Sequence, residues 1–372
     1  MKGSLNVTSK KESSFTKSNH QYKHLNIVKD LTSKMKGDSE FIKLDANENL
    51  FISLKKLKKL FSGIFEEFDP RLYPILEIEE LKEKIGEYFN VRKNQIILDN
   101  GSNQLIDSLI SSLTNEKDTI LSLDPTFSMY KFFTSSNKRK FLSIPLKKDF
   151  SLDINKIIKA NIENKSKLLF LCSPNNPTGN QFPLKDITTI LDKFSGFVIL
   201  DEAYADFATY STIQMTEEYK NLIILRTFSK FFGLAGLKIG YAIANPKIVA
   251  QIINNNQMPY PVSSFSLKVA RLIFENINIF RDSVVEIKRE REYLTSKLKE
   301  YENLDVFDSE TNFIVVNFRN TSSDEIFNFF IDHGILLRNI GKIGEFKNCL
   351  RITLAPRRYM EQFLDVLSRR ID

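Results

Sequence analysis

An α/β fold with a largely parallel sheet is predicted by three observations on the sequence. Between residues 95 and 244, seven short β-rich runs alternate with amphipathic helical stretches. The polar residues of this region gather at the carboxyl ends of those runs, where sheets of this kind bind their ligands. After a long helical stretch the order changes to strand, strand, helix, strand, strand, helix, which predicts a second, smaller α+β domain. The expected division is an N-terminal arm over residues 1–40, a large domain over 41–262, and a linking helix with the small domain over 263–372.

A chain of 372 residues buries a sizeable core and has room for two domains. The formal charge of +7 is spread along the chain rather than concentrated in a basic stripe. That pattern favours acidic small molecules and argues against nucleic acid as a partner. Cys172 and Cys349 lie far apart in apolar stretches and read as buried free thiols of a reducing compartment. No apolar run approaches the roughly 18 residues of a membrane span, and the polar start lacks a signal-peptide core. A cytoplasmic location with no membrane association is therefore expected. No grouping of metal ligands is found.

The arm begins with Ser-, Lys- and Asn-rich residues and is expected to be mobile, with either no role or subunit contact. In FIKLDANENLF (41–51) the polar group Asp45, Asn47, Glu48 and Asn49 is placed to cap a helix over Ser53 to Phe65. DPRLYP (69–74) is turn chemistry around Tyr73, and Leu81, Ile85, Tyr88 and Phe89 give helical spacing over Glu77 to Phe89.

The strand-type runs are QIILD (95–99), TILSL (119–123), KFLSI (140–144), KLLFLC (167–172), GFVIL (196–200), NLIIL (221–225) and IGYAIA (239–244). QIILD leads into Gly101, Ser102 and Asn103 at the start of a helix, an arrangement suited to an anion or to an ordinary capped helix. TILSL leads into PTFSMY, with Phe127 and Tyr130 just past the strand end. KLLFLC leads into the rigid turn SPNNPTGN, which contains Asn176. GFVIL ends in Asp201 and Tyr204, and a carboxylate at the end of a buried strand needs solvent or a partner. NLIIL leads into RTFSKFFGLAGLKIGY, where Thr227, Ser229 and Lys230 precede a run of small residues. A helix over Ser264 to Tyr301 is expected to join the domains. The small domain is placed as strands 304–307, 313–318, 335–338 and 349–353 with helices 323–333 and 357–370. Arg338 and Arg351 lie on or beside its strands and need an anion or a carboxylate.

In order, LDANEN, RLYP, NGSNQLID, PTFSMY, SPNNPTG, LDEAY, RTFSK, GLAGLKIGY and CLRIT resemble the fold-type I pyridoxal-phosphate enzymes, and within them the histidinol-phosphate aminotransferase group. The resemblance runs from Leu44 to the C-terminus. It implies pyridoxal 5'-phosphate as cofactor, with Lys230 its covalent anchor, Asp201 paired with the pyridine nitrogen, Tyr204 and Asn176 on the phenolic oxygen, and Phe127 stacked on the ring. Gly101, Ser102, Asn103, Thr227, Ser229 and Lys238 would hold the phosphate. Tyr73 would reach the cofactor of a partner subunit, making the active unit a homodimer with shared sites. Arg351 would grip the substrate carboxylate, Arg338 would hold a substrate phosphate, and Asn47 is carried over as a substrate contact. The nearby cofactor and Lys238 or Arg226 are expected to depress the basicity of Lys230.

The implied activity is amino transfer to a small phosphorylated carbonyl compound, such as imidazole acetol phosphate or a triose phosphate, with glutamate and 2-oxoglutarate as the partner pair. Decarboxylation of an O-phospho amino acid is the alternative that the same fold and lysine would serve. The chain departs from the family at Lys238, where arginine is usual, and at Leu50-Phe51-Ile52, where Pro-Tyr-Gly is usual.

Overall fold

The computed structural model describes residues 41–256 and 258–371. The chain divides into a unit of residues 1–42 and a compact unit of residues 43–372. The expected arm of residues 1–40 lies outside the described residues.

The seven β-rich runs form one seven-stranded sheet. Its strands are β1 (Ile96–Asp99), β2 (Thr119–Asp124), β3 (Lys140–Pro145), β4 (Leu168–Cys172), β5 (Phe197–Asp201), β6 (Leu222–Thr227) and β7 (Gly240–Ala244). They lie in the order β1-β7-β6-β5-β4-β2-β3. Four pairings, from β3 through β2, β4 and β5 to β6, are parallel, and β7 runs antiparallel to both its neighbours. β4, β6 and β7 are buried at every residue. Helices on the faces of a mostly parallel sheet exclude water from both sides, so its strands read as continuous apolar runs.

The register decides where polar groups emerge. Cys172 lies opposite Asp201 on adjacent strand ends, and Gly240 lies opposite both Asp99 and Thr227. The carboxyl ends of β1, β2, β4, β5 and β6 therefore share one edge. The helix Gly101–Leu113 starts at that edge and buries Leu105, Ile106, Leu109 and Ile110 at helical spacing.

A second, antiparallel sheet of four strands follows: β8 (Leu304–Val306), β9 (Phe313–Phe318), β10 (Arg338–Ile343) and β11 (Phe346–Thr353), in the order β10-β11-β9-β8. The expected strand at 335–338 is instead two pieces, Ile335–Leu336 and the longer β10. Gly341 (φ 72°) and Gly344 (φ 57°) allow the bulge and the turn that make 338–353 a hairpin. The same glycines make that stretch resemble a loop in sequence. The hairpin places Arg338 directly opposite Arg351.

Three helical expectations are corrected. The helix after DANEN is two pieces, Leu54–Phe61 and Ile64–Glu67, and its cap is Ser53, whose hydroxyl accepts from Lys56 N–H at 3.3 Å. The DANEN residues do not cap it. Asn49 is drawn away instead, donating to Phe231 O at 2.8 Å and to Ser283 Oγ at 3.1 Å. The long linking helix is broken into Ser264–Glu275 and Ile277–Leu298. Asn276 at the break donates from its amide to Leu272 O at 3.0 Å, a side-chain bond that competes with helix continuation.

Gly240 packs on the turn that starts the Gly101–Leu113 helix, where a Cβ would fall 2.4 Å from Ser102 N and 2.5 Å from Gly101 C. We expect Gly240→Ala to lower stability by about 1–3 kcal/mol through overpacking. Gly236→Ala, with nothing within 4 Å of the added atom, should stay within about 0.5 kcal/mol of the parent. Urea midpoints of the two variants check both.

Candidate active site at the carboxyl edge of the sheet

A cavity of about 260 Å³ opens at the carboxyl edge of the seven-stranded sheet. Of the residues singled out in the sequence, Gly101, Ser102, Asn103, Phe127, Asn176, Asp201, Tyr204, Thr227, Ser229, Lys230 and Lys238 all line it, as do Asn47 and Arg351. They come from the ends of five strands, from the segment before the first long helix and from β11. Tyr73 and Arg338 are not among its walls.

Asp201 closes β5 and is 4% exposed. Its Oδ1 accepts from Ala203 N–H at 3.0 Å and its Oδ2 from the Tyr130 hydroxyl at 2.7 Å. Burial pushes the carboxyl upward from its ordinary value, and these two bonds act against that shift. Tyr130 is wholly buried, stacks on Phe170 at 4.8 Å and meets Phe127 edge-on at 5.6 Å. It is the residue whose connection the sequence reading missed. The available signal was its place three residues after Phe127, which returns a helical side chain to the same face.

Lys230 donates from Nζ to Ala46 O at 2.7 Å. It keeps partial exposure toward the cavity, yet burial among protein atoms, and after it the charge of Arg351, push its ammonium down to about 7. This corrects the expectation that Lys238 or Arg226 would do so. Arg226 is neutralised where it stands, paired with Glu202 at 3.1 Å and Asp206 at 2.8 Å. Lys238 sits in the left-handed region (φ 53°), with its ammonium beside Gly101.

Arg351 is buried, and burial pushes it down to about 10. It donates from Nη1 to Asn176 Oδ1 at 2.8 Å and from Nη2 to Asp45 O at 2.6 Å, with Phe313 beneath its guanidinium at 5.3 Å. Asn176 lines the cavity with its carbonyl oxygen toward Arg351. Tyr204, pushed up to about 12 by burial, accepts from Asn47 Nδ2 at 2.9 Å.

The start of the Gly101–Leu113 helix contributes the backbone of Gly101, at φ 81°, to the cavity wall, together with Ser102 and Asn103. Facing them, Thr227 Oγ1 accepts from Ser229 N–H at 3.1 Å and donates to Ser229 Oγ at 3.0 Å. Backbone N–H groups, hydroxyls and the Lys238 ammonium make this end of the cavity suited to an anion.

Tyr73 is 74% exposed and stacks on Tyr260 at 4.8 Å. Arg338 is half-buried, is pushed downward by burial, and makes no ion pair or side-chain hydrogen bond with a described residue. Among the described residues no helix is long and apolar enough to cross a membrane.

The family model for aminotransferase class I and II matches residues 39–367. A histidinol-phosphate aminotransferase of Thermoanaerobacter pseudethanolicus is 34% identical over 84% of this chain and 88% of the relative. One from Ruminiclostridium cellulolyticum is 36% identical over 88% of this chain and 91% of the relative. The crystal structure of histidinol-phosphate aminotransferase from Sinorhizobium meliloti in complex with pyridoxal-5'-phosphate has the same fold, with a TM-score of 0.83 at 19% identity over 96% of this chain and 98% of that one. The chain therefore belongs to the class I and II aminotransferases, and it is a pyridoxal-phosphate-dependent enzyme that transfers amino groups.

Proposed function

We propose that this aminotransferase acts on a small phosphorylated substrate of the histidinol phosphate and imidazole acetol phosphate type, with glutamate and 2-oxoglutarate as the partner pair. One observation carries the reading: a buried carboxylate, a flat aromatic, a lysine near neutrality and an anion cup face one cavity. The residues fit pyridoxal phosphate. Asp201 is a buried carboxylate on the cavity wall, where it suits a protonated ring nitrogen. Phe127 offers a ring face, and Gly101, Ser102, Asn103, Thr227, Ser229 and Lys238 suit the phosphate.

Bound there, pyridoxal phosphate supplies the electron sink that allows a bond to the substrate's amino-bearing carbon to break. Lys230 supplies the amine that anchors the cofactor and, when released, moves the proton at that carbon, a task for which a value near 7 is well matched. Asp201 holds the ring-nitrogen proton by its charge. Tyr204 and the NH2 group of Asn176 serve the phenolic oxygen. Arg351 takes the substrate carboxylate by exchanging the neutral acceptors Asn176 Oδ1 and Asp45 O for a charged one. Arg338, opposite Arg351 and with no ion pair or side-chain hydrogen bond to a described residue, is assigned the substrate phosphate. Two cations facing each other across a strand pair are unfavourable until anions join them.

The active unit of this reading is a cytoplasmic homodimer, with a large and a small domain meeting near residue 262. Leu72, Tyr73, Ile75, Leu76 and Met258 are exposed apolar side chains around the Tyr73–Tyr260 stack. A subunit contact there would cover them and carry Tyr73 to the partner's phosphate site. The free, buried Cys172 and Cys349 support a reducing compartment.

Glutamate added to the purified holoenzyme should convert the cofactor to its amino form, and imidazole acetol phosphate should reverse the change, both followed by absorbance. Release of carbon dioxide from phosphothreonine or phosphoserine, with no conversion by glutamate, would establish the decarboxylase instead. Lys230→Ala should lose about 10²–10⁴-fold or more in turnover.

In the cofactor-free protein, the folded-state value of Lys230 lies near 7 against an ordinary 10.5. The unfolded chain then binds more protons between about pH 7 and 10.5, so this group makes stability rise with pH across that window. Denaturant midpoints measured from pH 6 to 10 should climb more steeply for the parent than for Lys230→Met.

Mixing an inactive Tyr73 variant with inactive Lys230→Ala under conditions of confirmed subunit exchange should restore part of the activity. Persistent inactivity of the mixed dimer would remove Tyr73 from the neighbouring site.

A further inference from the structure

The resemblance carried Asn47 over as a substrate contact, and on the cavity wall its side chain also bonds within the protein. It is 1% exposed. Its Nδ2 donates to the Tyr204 hydroxyl at 2.9 Å, and its Oδ1 accepts from the Thr353 hydroxyl at 3.3 Å. The Thr353 oxygen also accepts from the backbone N–H of Asn47 at 2.9 Å, so its own proton is free to go to Oδ1. In the structure the amide oxygen faces Thr353 and the NH2 group faces Tyr204.

We propose that Asn47 is a positioning residue that directs the Tyr204 phenol, leaving the phenolic proton to point into the cavity at the phenolic oxygen of the bound cofactor. The inference rests on the assignment of Tyr204 to that oxygen. The chemistry follows from donor and acceptor counting. A hydroxyl has one proton and accepts through its lone pairs. Asn47 Nδ2 is a donor only, so the bond at 2.9 Å uses a lone pair of Tyr204 and cannot use its proton.

Among the described residues, no side chain accepts a hydrogen bond from that hydroxyl. Arg351 and Lys230, the cations nearest the phenol, offer donors, and Lys230 Nζ lies 5.9 Å from the ring centroid. Asp201 is already served by Tyr130 and Ala203 N–H, and the Cys172 thiol donates to Pro174 O at 3.2 Å. Burial keeps the phenol protonated well above neutral pH, with Asn47 and Arg351 acting against that shift. The proton is therefore retained and has the cavity as its outlet.

The backbone shows why asparagine suits this place. Asn47 has φ 55°, the left-handed region that asparagine tolerates better than most residues with a side chain. Its carbonyl accepts from Asn312 Nδ2 at 3.1 Å, and the preceding Ala46 and Asp45 carbonyls accept from Lys230 and Arg351. One short turn thus touches Tyr204, Lys230 and Arg351 together. Only the contact to Tyr204 depends on the side chain at position 47.

Asn47→Asp keeps size and backbone but replaces the donor with an acceptor, which would draw the phenolic proton away from the cavity. Asn47→Gly keeps the left-handed turn and removes the amide, and it serves if the buried carboxylate of the first variant prevents folding. Each is made in the parent and in a Tyr204→Phe background. The readouts are the pH midpoint of the bound cofactor's visible band, the dissociation constant of the cofactor by equilibrium dialysis, and kcat against KM.

A donor on an oxygen weakens its hold on a nearby proton, so loss of the bond should raise the midpoint. The expected result is an upward shift of about one pH unit, a fall of about tenfold in kcat with little change in KM, and no further effect of either variant once Tyr204 is phenylalanine. If the Asn47 variants have the same effect with and without the phenol, Asn47 acts by another route and the inference is overturned. If Tyr204→Phe itself leaves the midpoint and kcat unchanged, the assignment of Tyr204 falls, and the inference with it.

Discussion

The carboxylate of Asp201 imposes the constraint around which the site is built. It ends a strand whose neighbours on both sides are buried, so its charge is held away from water. An unpaired buried carboxylate costs several kcal/mol. Two protein hydrogen bonds, from Tyr130 and Ala203, offset part of that cost but bring no positive charge. Two nearby cations have their hydrogen bonds elsewhere, Arg226 with Glu202 and Asp206 and Arg351 with Asn176 and Asp45 O, although the Arg226 charge still draws the Asp201 carboxyl downward. A site that buries an anion beside a cavity and directs its own cations elsewhere selects a ligand that brings a proton-bearing nitrogen. A pyridoxal-phosphate enzyme meets that demand.

The second constraint is the turn of Asp45 to Asn47, where the two sheets contribute to one site. Its main-chain carbonyls hold Lys230 from the segment after β6 and Arg351 from β11, and its side chain reaches Tyr204 beyond β5. Each of those side chains is buried enough to shift away from its ordinary acidity. Neutral carbonyls accept hydrogen bonds from Lys230 Nζ and Arg351 Nη2 without supplying counter-charge. They leave the lysine near neutrality and the arginine ready to exchange its partners for a carboxylate. A carboxylate in their place would stabilise the protonated lysine and weaken it as a base.

Much of this was legible in the chain because the α/β pattern is local. Each strand of the large sheet is a short β-rich run, and Asp201, Phe127, Thr227 and Gly101 follow such runs within a few residues. Misreadings occurred where a local signal competed with a tertiary one. The stretch between the expected strands 335–338 and 349–353 proved to be a hairpin, with Gly341 and Gly344 at its bulge and turn. The DANEN polar residues looked like a helix cap but satisfy distant partners, Asn49 on Phe231 and Ser283 among them. An unbroken helical pattern concealed the break at Asn276, whose amide bonds back to the helix it ends.

By itself the sequence determined the α/β class and the strands of the large sheet, since these depend on periodicity, while the residues expected to face a cofactor came from its resemblance to a family. Only the tertiary structure decided who partners whom. It showed that Lys230 is shifted first by burial and that Arg351, 121 positions along the chain, is the foremost of the charges acting on it. It also showed that Arg226 is spent in an ion pair, and that Asn47 serves Tyr204. Those relations are set by strand order and register, which bring residues together across long stretches of chain, and hydrogen bonding and charge act through distance in space rather than separation in sequence.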